Sequence, residues 1–168
     1  MQNCECYDKD GKFLGWFSRS VAVLALIHVY GKDGRHYVLA SQRGKGTPDP
    51  EYVGKWNLCC GYLDFNETGK ESVIREVFEE TGVNISNETI RSIGVNTDPT
   101  TDKRQNVTLR YVVALSKDKE VYERQFSHKN NEKDEVGEIK FIDYRDIDKY
   151  EWAFGHDKII KNPLNNIV

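Results

Sequence analysis

The pattern of apolar and polar positions predicts mostly strands, with few helices between them. Residues 13–17 read as a short first strand. Residues 21–30 are a continuous apolar, β-branched run, the pattern of a strand buried on both faces. Gly31-Lys32-Asp33-Gly34 turns the chain into a returning strand over 35–42. Residues 44–54 hold three glycines and two prolines and predict a loop, followed by a short strand at 56–60. A strand is expected at 90–96. Over 107–115, Val107, Leu109, Tyr111, Val113 and Leu115 share one face of another. Residues 117–134 are polar, with a weak strand signal at Val121-Tyr122. The last strand is expected at 137–144, and a closing helix at 155–162 that stops before Pro163. Strands with interspersed helices predict an α/β fold with a mixed sheet covered by helices on its faces.

The strongest helix signal lies in the middle of the chain. Thr68 and Glu71 have capping-box spacing and start a helix near Gly69, and Gly82 supplies the left-handed residue that ends it. At about 100° per residue, Val73, Ile74, Val77, Phe78 and Thr81 fall within an arc of about 140° that reads as core. Arg75, Glu76, Glu79 and Glu80 form a second arc. A solvated face is the ordinary meaning of such an arc. Here Glu76, Glu79 and Glu80 stand at i, i+3 and i+4, a crowding that destabilises a helix by a few tenths of a kcal/mol per pair unless neutralised. A divalent cation neutralises it, and magnesium favours carboxylate oxygens and bridges to substrate phosphates. The preceding loop brings Glu67 to the same end, where a bidentate pair with Arg75 would pin it to the helix.

The remaining composition narrows the setting. The 168 residues suit one domain spanning 1–168, with 38% hydrophobic and 30% charged residues. No apolar run reaches the roughly 18 residues a membrane helix needs, and the N-terminus lacks a secretory signal, so a cytoplasmic location is expected and a membrane partner is not. The net charge of −3 without a basic block argues against nucleic-acid binding. Cys4, Cys6, Cys59 and Cys60 lack zinc-site spacing and read as reduced thiols.

The stretch from Gly61 to Val83 reads G-x5-E-x7-R-E-U-x-E-E-x-G-U, with U aliphatic, through Gly61, Glu67, Arg75, Glu76, Val77, Glu79, Glu80, Gly82 and Val83. This resembles the signature box of the Nudix (MutT-like) hydrolases at every position. The resemblance implies an α/β/α sandwich with a loop-helix-loop catalytic motif. It also implies magnesium-dependent hydrolysis of a diphosphate linkage, with manganese as a substitute. It casts Glu79 and Glu80 as the main metal ligands, and Glu76 as a further ligand or the group that handles the water. Glu67 and Arg75 become scaffold, and a backbone carbonyl of Cys60 or Gly61 completes the metal shell. Many relatives carry glycine where Cys60 stands. In several branches a later loop adds an acid; Glu135 is the candidate.

Beyond the box, Arg43, Lys45, Arg104 and Arg110 read as surface charges or phosphate contacts, Trp56 as core, and Tyr62, Phe65 and Trp152 as core or base-stacking rings. Residues 153–160 are similar to a segment near the end of Nudix proteins that act on ADP-ribose, and His156 within it reads as a helix residue. The expected partner is a small nucleotide: ADP-ribose first, a nucleoside triphosphate second, with a homodimer left open. A non-catalytic nucleotide sensor and an isoprenoid-diphosphate isomerase are the competing readings. The intact acids of the box, and a length that leaves little room for a DNA-binding extension, weigh against them.

Overall fold

The computed structural model describes residues 3–100, 103–128 and 134–162. The chain begins with a two-stranded antiparallel hairpin, β1 (Cys4–Tyr7) and β2 (Phe13–Phe17), so the strand expected first is the second. Tyr7, Phe13 and Trp16 pack edge to face along it while remaining exposed.

The main sheet has seven strands: β3 (Val21–Tyr30), β4 (His36–Arg43), β5 (Trp56–Asn57), β6 (Cys59–Tyr62), β7 (Thr89–Asn96), β8 (Val107–Ala114) and β9 (Val136–Asp143). Five of them run in the order β5-β4-β3-β8-β7, with β6 also on β3 and β9 also on β4. The β3–β8 pair is parallel and the others antiparallel, so the sheet is mixed. The single strand expected over 56–60 is therefore two, because residues 56–57 pair with β4 and residues 59–62 with β3.

β3 is apolar on both faces because both are covered. Val23, Ala25, Ile27 and Val29 face a core closed by Val73 and Val77 of α1 (Gly69–Thr81). Leu24 and Leu26 face a second core closed by Ile159 and Ile160 of α3 (His156–Lys161) and by Ile147 of a 3-10 segment, Tyr144–Lys149. The result is the α/β/α sandwich. No helix among the described residues is long and apolar enough to cross a membrane.

Three expectations need correction. Val121 and Tyr122 lie in a short helix, α2 (Lys119–Glu123), rather than a strand; Lys119 and Glu123 pair one turn apart at 2.9 Å and Tyr122 is buried. Phe78 is 46% exposed, and Ser72 takes the buried place on α1 instead, its hydroxyl donating to the Tyr62 carbonyl. Tyr144 belongs to the 3-10 segment, so β9 ends at Asp143. The closing helix is present, while Pro163 lies outside the described residues.

Candidate active site

The geometry of the site starts at the ends of α1. The Thr68 side chain accepts from the Glu71 N–H, and the Glu71 carboxylate accepts from the Thr68 N–H, closing the capping box. At the other end Gly82 has φ 77° and its N–H donates to the Phe78 carbonyl. The helix is thus fixed in length by residues at its own two ends.

Arg75 organises the loop before the helix. Its Nε donates to Glu67 Oε2 at 3.0 Å and its Nη2 to Glu67 Oε1 at 2.7 Å, the bidentate pair expected from the spacing. Nη2 also donates to the Tyr62 carbonyl at 2.9 Å, joining β6 to the helix. The Arg75 guanidinium holds the Glu67 carboxyl down at about 2. Nη1 of the same arginine donates to Glu76 Oε1 at 2.7 Å and Glu79 Oε2 at 3.0 Å. Glu80 points elsewhere: Oε1 accepts from the Cys60 N–H at 3.3 Å and Oε2 from the Ser41 hydroxyl at 3.1 Å. Burial, and then the charge of Glu76, push the Glu80 carboxyl up to about 7. Burial also raises Glu76. Gly61 is needed where it stands, because a Cβ there would overlap the Glu76 carboxylate.

Glu76, Glu79, Glu80, Cys60, Gly61 and Glu135 all line one cleft of about 1020 Å³. Glu67 stands behind it and reaches it through Arg75. Among the described residues, no three His, Cys, Asp or Glu side chains converge as a ready metal cage. Arg75 draws Glu76 and Glu79 to one side, and Cys60 and Ser41 draw Glu80 to the other.

A model of the NUDIX domain matches residues 19–162. The chain belongs to the Nudix family. No curated protein matches it. The NUDIX domain of Shewanella oneidensis NrtR, solved with ADP ribose, superposes with a TM-score of 0.68 at 22% identity, covering 96% of this chain and 94% of that one. A MutT/nudix family protein from Enterococcus faecalis gives 0.67 at 24% identity, over 90% of this chain and 62% of that one. An ADP-ribose pyrophosphatase from Streptococcus suis gives 0.58 at 16% identity, over 88% and 90%. This chain covers 58% of the NrtR chain solved with a 27mer DNA. At these identities the likeness is one of fold.

Around the Nudix helix, several residues sort differently from their sequence reading. Phe65 is 97% exposed and off the cleft, and Trp152 is packed in the second core with its Nε1–H on the Ile147 carbonyl. Tyr62 lines the cleft, and its hydroxyl accepts from Arg104, which also pairs with Asp49. Trp56 is core, as expected. Lys45 is exposed, whereas Arg43 lines the cleft beside Phe154. The aromatic wall is formed by Tyr52 and Phe154, ring centroids 4.4 Å apart, which sequence reasoning did not single out.

Arg110 and His156 were read as a surface charge or phosphate contact and as a helix residue; each is only 4% exposed and lines the cleft. Residues 150–156 are stapled to β5, Trp56 N donating to the Glu151 carbonyl and Ala153 N to the Trp56 carbonyl, both at 2.8 Å. That staple brings His156 Nδ1 to accept from the Leu58 N–H at 3.0 Å.

Proposed function

We propose that this chain hydrolyses a phosphoanhydride bond in a nucleoside diphosphate derivative, with ADP-ribose the first substrate to test. The observation that carries the reading is the joining of Glu76, Glu79 and Glu80 at one cleft by a helix whose loop is pinned through Glu67 and Arg75. The ADP-ribose named for the NrtR domain and the Streptococcus suis pyrophosphatase supports the choice of substrate.

The residues fit a divalent cation in donor type and in charge. Three hard carboxylate donors face one space, Gly61 leaves room beside Glu76, and the buried Glu80 is joined to no cationic side chain by an ion pair among the described residues. Glu76, Glu79 and Glu80 would hold magnesium or manganese, with a Cys60 or Gly61 carbonyl, once Glu76 and Glu79 turn from Arg75. Bound there, the metal would neutralise the diphosphate oxygens and acidify a water.

The protein's own groups do the rest. Arg75 and Glu67 keep the loop and helix in one register, which holds the reacting groups in line. A carboxylate at the cleft wall, Glu76 or Glu135, accepts the proton of the attacking water. Tyr52 and Phe154 offer apolar faces to the nucleoside. Water adds to one phosphorus, the bridging oxygen leaves on the other, and ADP-ribose gives AMP and ribose 5-phosphate.

The test is a panel of nucleoside diphosphate derivatives and triphosphates, read by chromatography of products with magnesium, and with chelator. ADP-ribose is expected to have the highest kcat/KM and to survive untouched in chelator. A triphosphate tenfold better would move the substrate while keeping the chemistry, and full activity in chelator would refute the metal role.

A further inference from the structure

Beside the glutamates, the cleft also holds two arginines, Arg110 and Arg43, that no ion pair joins to an acid among the described residues. Arg110 lies in a row across the sheet, Gly94, Arg110, Leu24, Cys60, and shares the face of Leu24. At about 4.8 Å per strand, its backbone is about 10 Å from that of Cys60, where Glu80 is held. Its Nε and Nη1 are buried and have no acceptor. Leaving a guanidinium so deeply buried and unpaired is costly, and such a group favours any ligand that brings an anion.

Two further donors stand with it. Arg43 bonds the Thr47 hydroxyl and lies 5.5 Å from the centre of the Phe154 ring, and its Nε also lacks an acceptor. His156 accepts at Nδ1 from the Leu58 N–H, so its proton is on Nε2. Burial and then the charges of Arg110 and Arg43 keep it neutral, with its pKa lowered to about 3. Most acids of the same cleft are committed elsewhere: Glu76, Glu79 and Asp64 to Arg75, Glu80 to Cys60 and Ser41, Asp49 to Arg104 and Glu51 to Lys103; Glu135 lines the cleft too, without an ion pair to either arginine.

We infer that Arg110, with Arg43 and the Nε2–H of His156, forms a subsite for a phosphate oxyanion distinct from the diphosphate handled at the glutamate end. This rests on the proposed reading for what occupies that other end. The phosphate comes either from the substrate, as a monoester beyond the diphosphate, or from solution as orthophosphate. In both cases the guanidiniums are satisfied by charge-assisted hydrogen bonds. Arginine is better suited than lysine there, because the planar group presents donors on several edges.

The first arm is an equilibrium titration of inorganic phosphate into the whole protein in excess chelator, followed by calorimetry and by thermal shift. The wild type is expected to bind and to gain thermal stability. Arg110→Met should weaken binding at least tenfold, and Arg110→Lys should restore part of it. Arg110→Met should itself fold with an unchanged or raised Tm, since it removes an unpaired buried charge. Arg43→Met gives a second variant should the first fail to fold.

The second arm compares ADP-ribose with its 2′-phosphorylated form by kcat/KM. A tenfold or greater preference for the phosphorylated form that collapses in Arg110→Met supports the substrate as the source. No preference, with phosphate binding that depends on Arg110, supports orthophosphate. Absence of phosphate binding by the wild type, or equal binding by the arginine variants, overturns the subsite. The titration needs no turnover, so it can succeed where hydrolysis fails and fail where hydrolysis is found.

Discussion

Replacing Glu80 by Gln should stabilise the metal-free protein, and do so only above a definite pH. The Glu80 carboxyl is raised from 4.5 to about 7 in the folded chain by burial and then by Glu76. As pH rises, the unfolded chain ionises first, so stability is lost between about 4.5 and 7 and stays lost above. The full shift corresponds to about 3 kcal/mol. Glu80 keeps some solvent access, so about 2 kcal/mol is the better expectation. Glutamine avoids the loss at little local cost. Its amide oxygen can accept from the Cys60 N–H as Oε1 does, and its NH2 can donate to the Ser41 hydroxyl, which is free to turn. The assay is thermal and denaturant unfolding in chelator at a series of pH values. Glu80→Gln should match wild type near pH 4.5 and exceed it by about 2 kcal/mol at pH 8, or about 4–8 °C in Tm for a chain of this length. On the proposed metal role, adding magnesium should narrow the gap, because the metal would bind and stabilise the wild type more than Glu80→Gln. A variant less stable than wild type at pH 8 in chelator, or a difference independent of pH, would refute the reasoning.

Glu67→Gln should behave in the opposite way, losing about 1–2 kcal/mol at neutral pH with or without metal, because it breaks the fork on Arg75. Since Glu67 is held at about 2, the stability it supplies is present above 4.5 and fades as pH falls toward 2; denaturation curves in acid check this. His156, lowered to about 3 from 6.5, should cost the protein up to about 1.4 kcal/mol per pH unit as pH falls through that window. His156→Phe should flatten that dependence and lose about 1–3 kcal/mol at pH 8, because the Leu58 N–H is left without an acceptor. Gly61→Ala should drop kcat by about 10- to 100-fold with little change in Tm, because the new Cβ displaces the Glu76 carboxylate rather than the core.

The Nudix helix was legible because its signals are local. Thr68, Glu71 and Gly82 fix its ends, and the spacing from Glu67 to Arg75 anticipates the fork that pins the loop. Signals between distant segments were not legible. Arg110 sits on the alternate face of β8, and the apolar set Leu109, Tyr111 and Val113 gives no warning that this face is covered too. A clue existed in Val112, apolar on the same face and packed into the second core. His156 became a hydrogen-bond acceptor only when residues 150–156 were laid along β5. Phe78 lay at the margin of the apolar arc, and only the packing of Ser72 under β6 turned it out to the cleft. Val121-Tyr122 misled because a two-residue apolar pair suits a strand or a helix alike, and the Lys119–Glu123 pairing decided it.

The central claim is that water attacks phosphorus at the cleft of the three glutamates. It is tested most directly by incubating the protein with ADP-ribose and magnesium in 18O-labelled water and weighing the products. The account predicts AMP and ribose 5-phosphate, with one 18O in the phosphate of one product, none formed in chelator, and a rate lower by orders of magnitude in Glu80→Gln. Products without label on phosphorus, or turnover that persists in both chelator and Glu80→Gln, would contradict it.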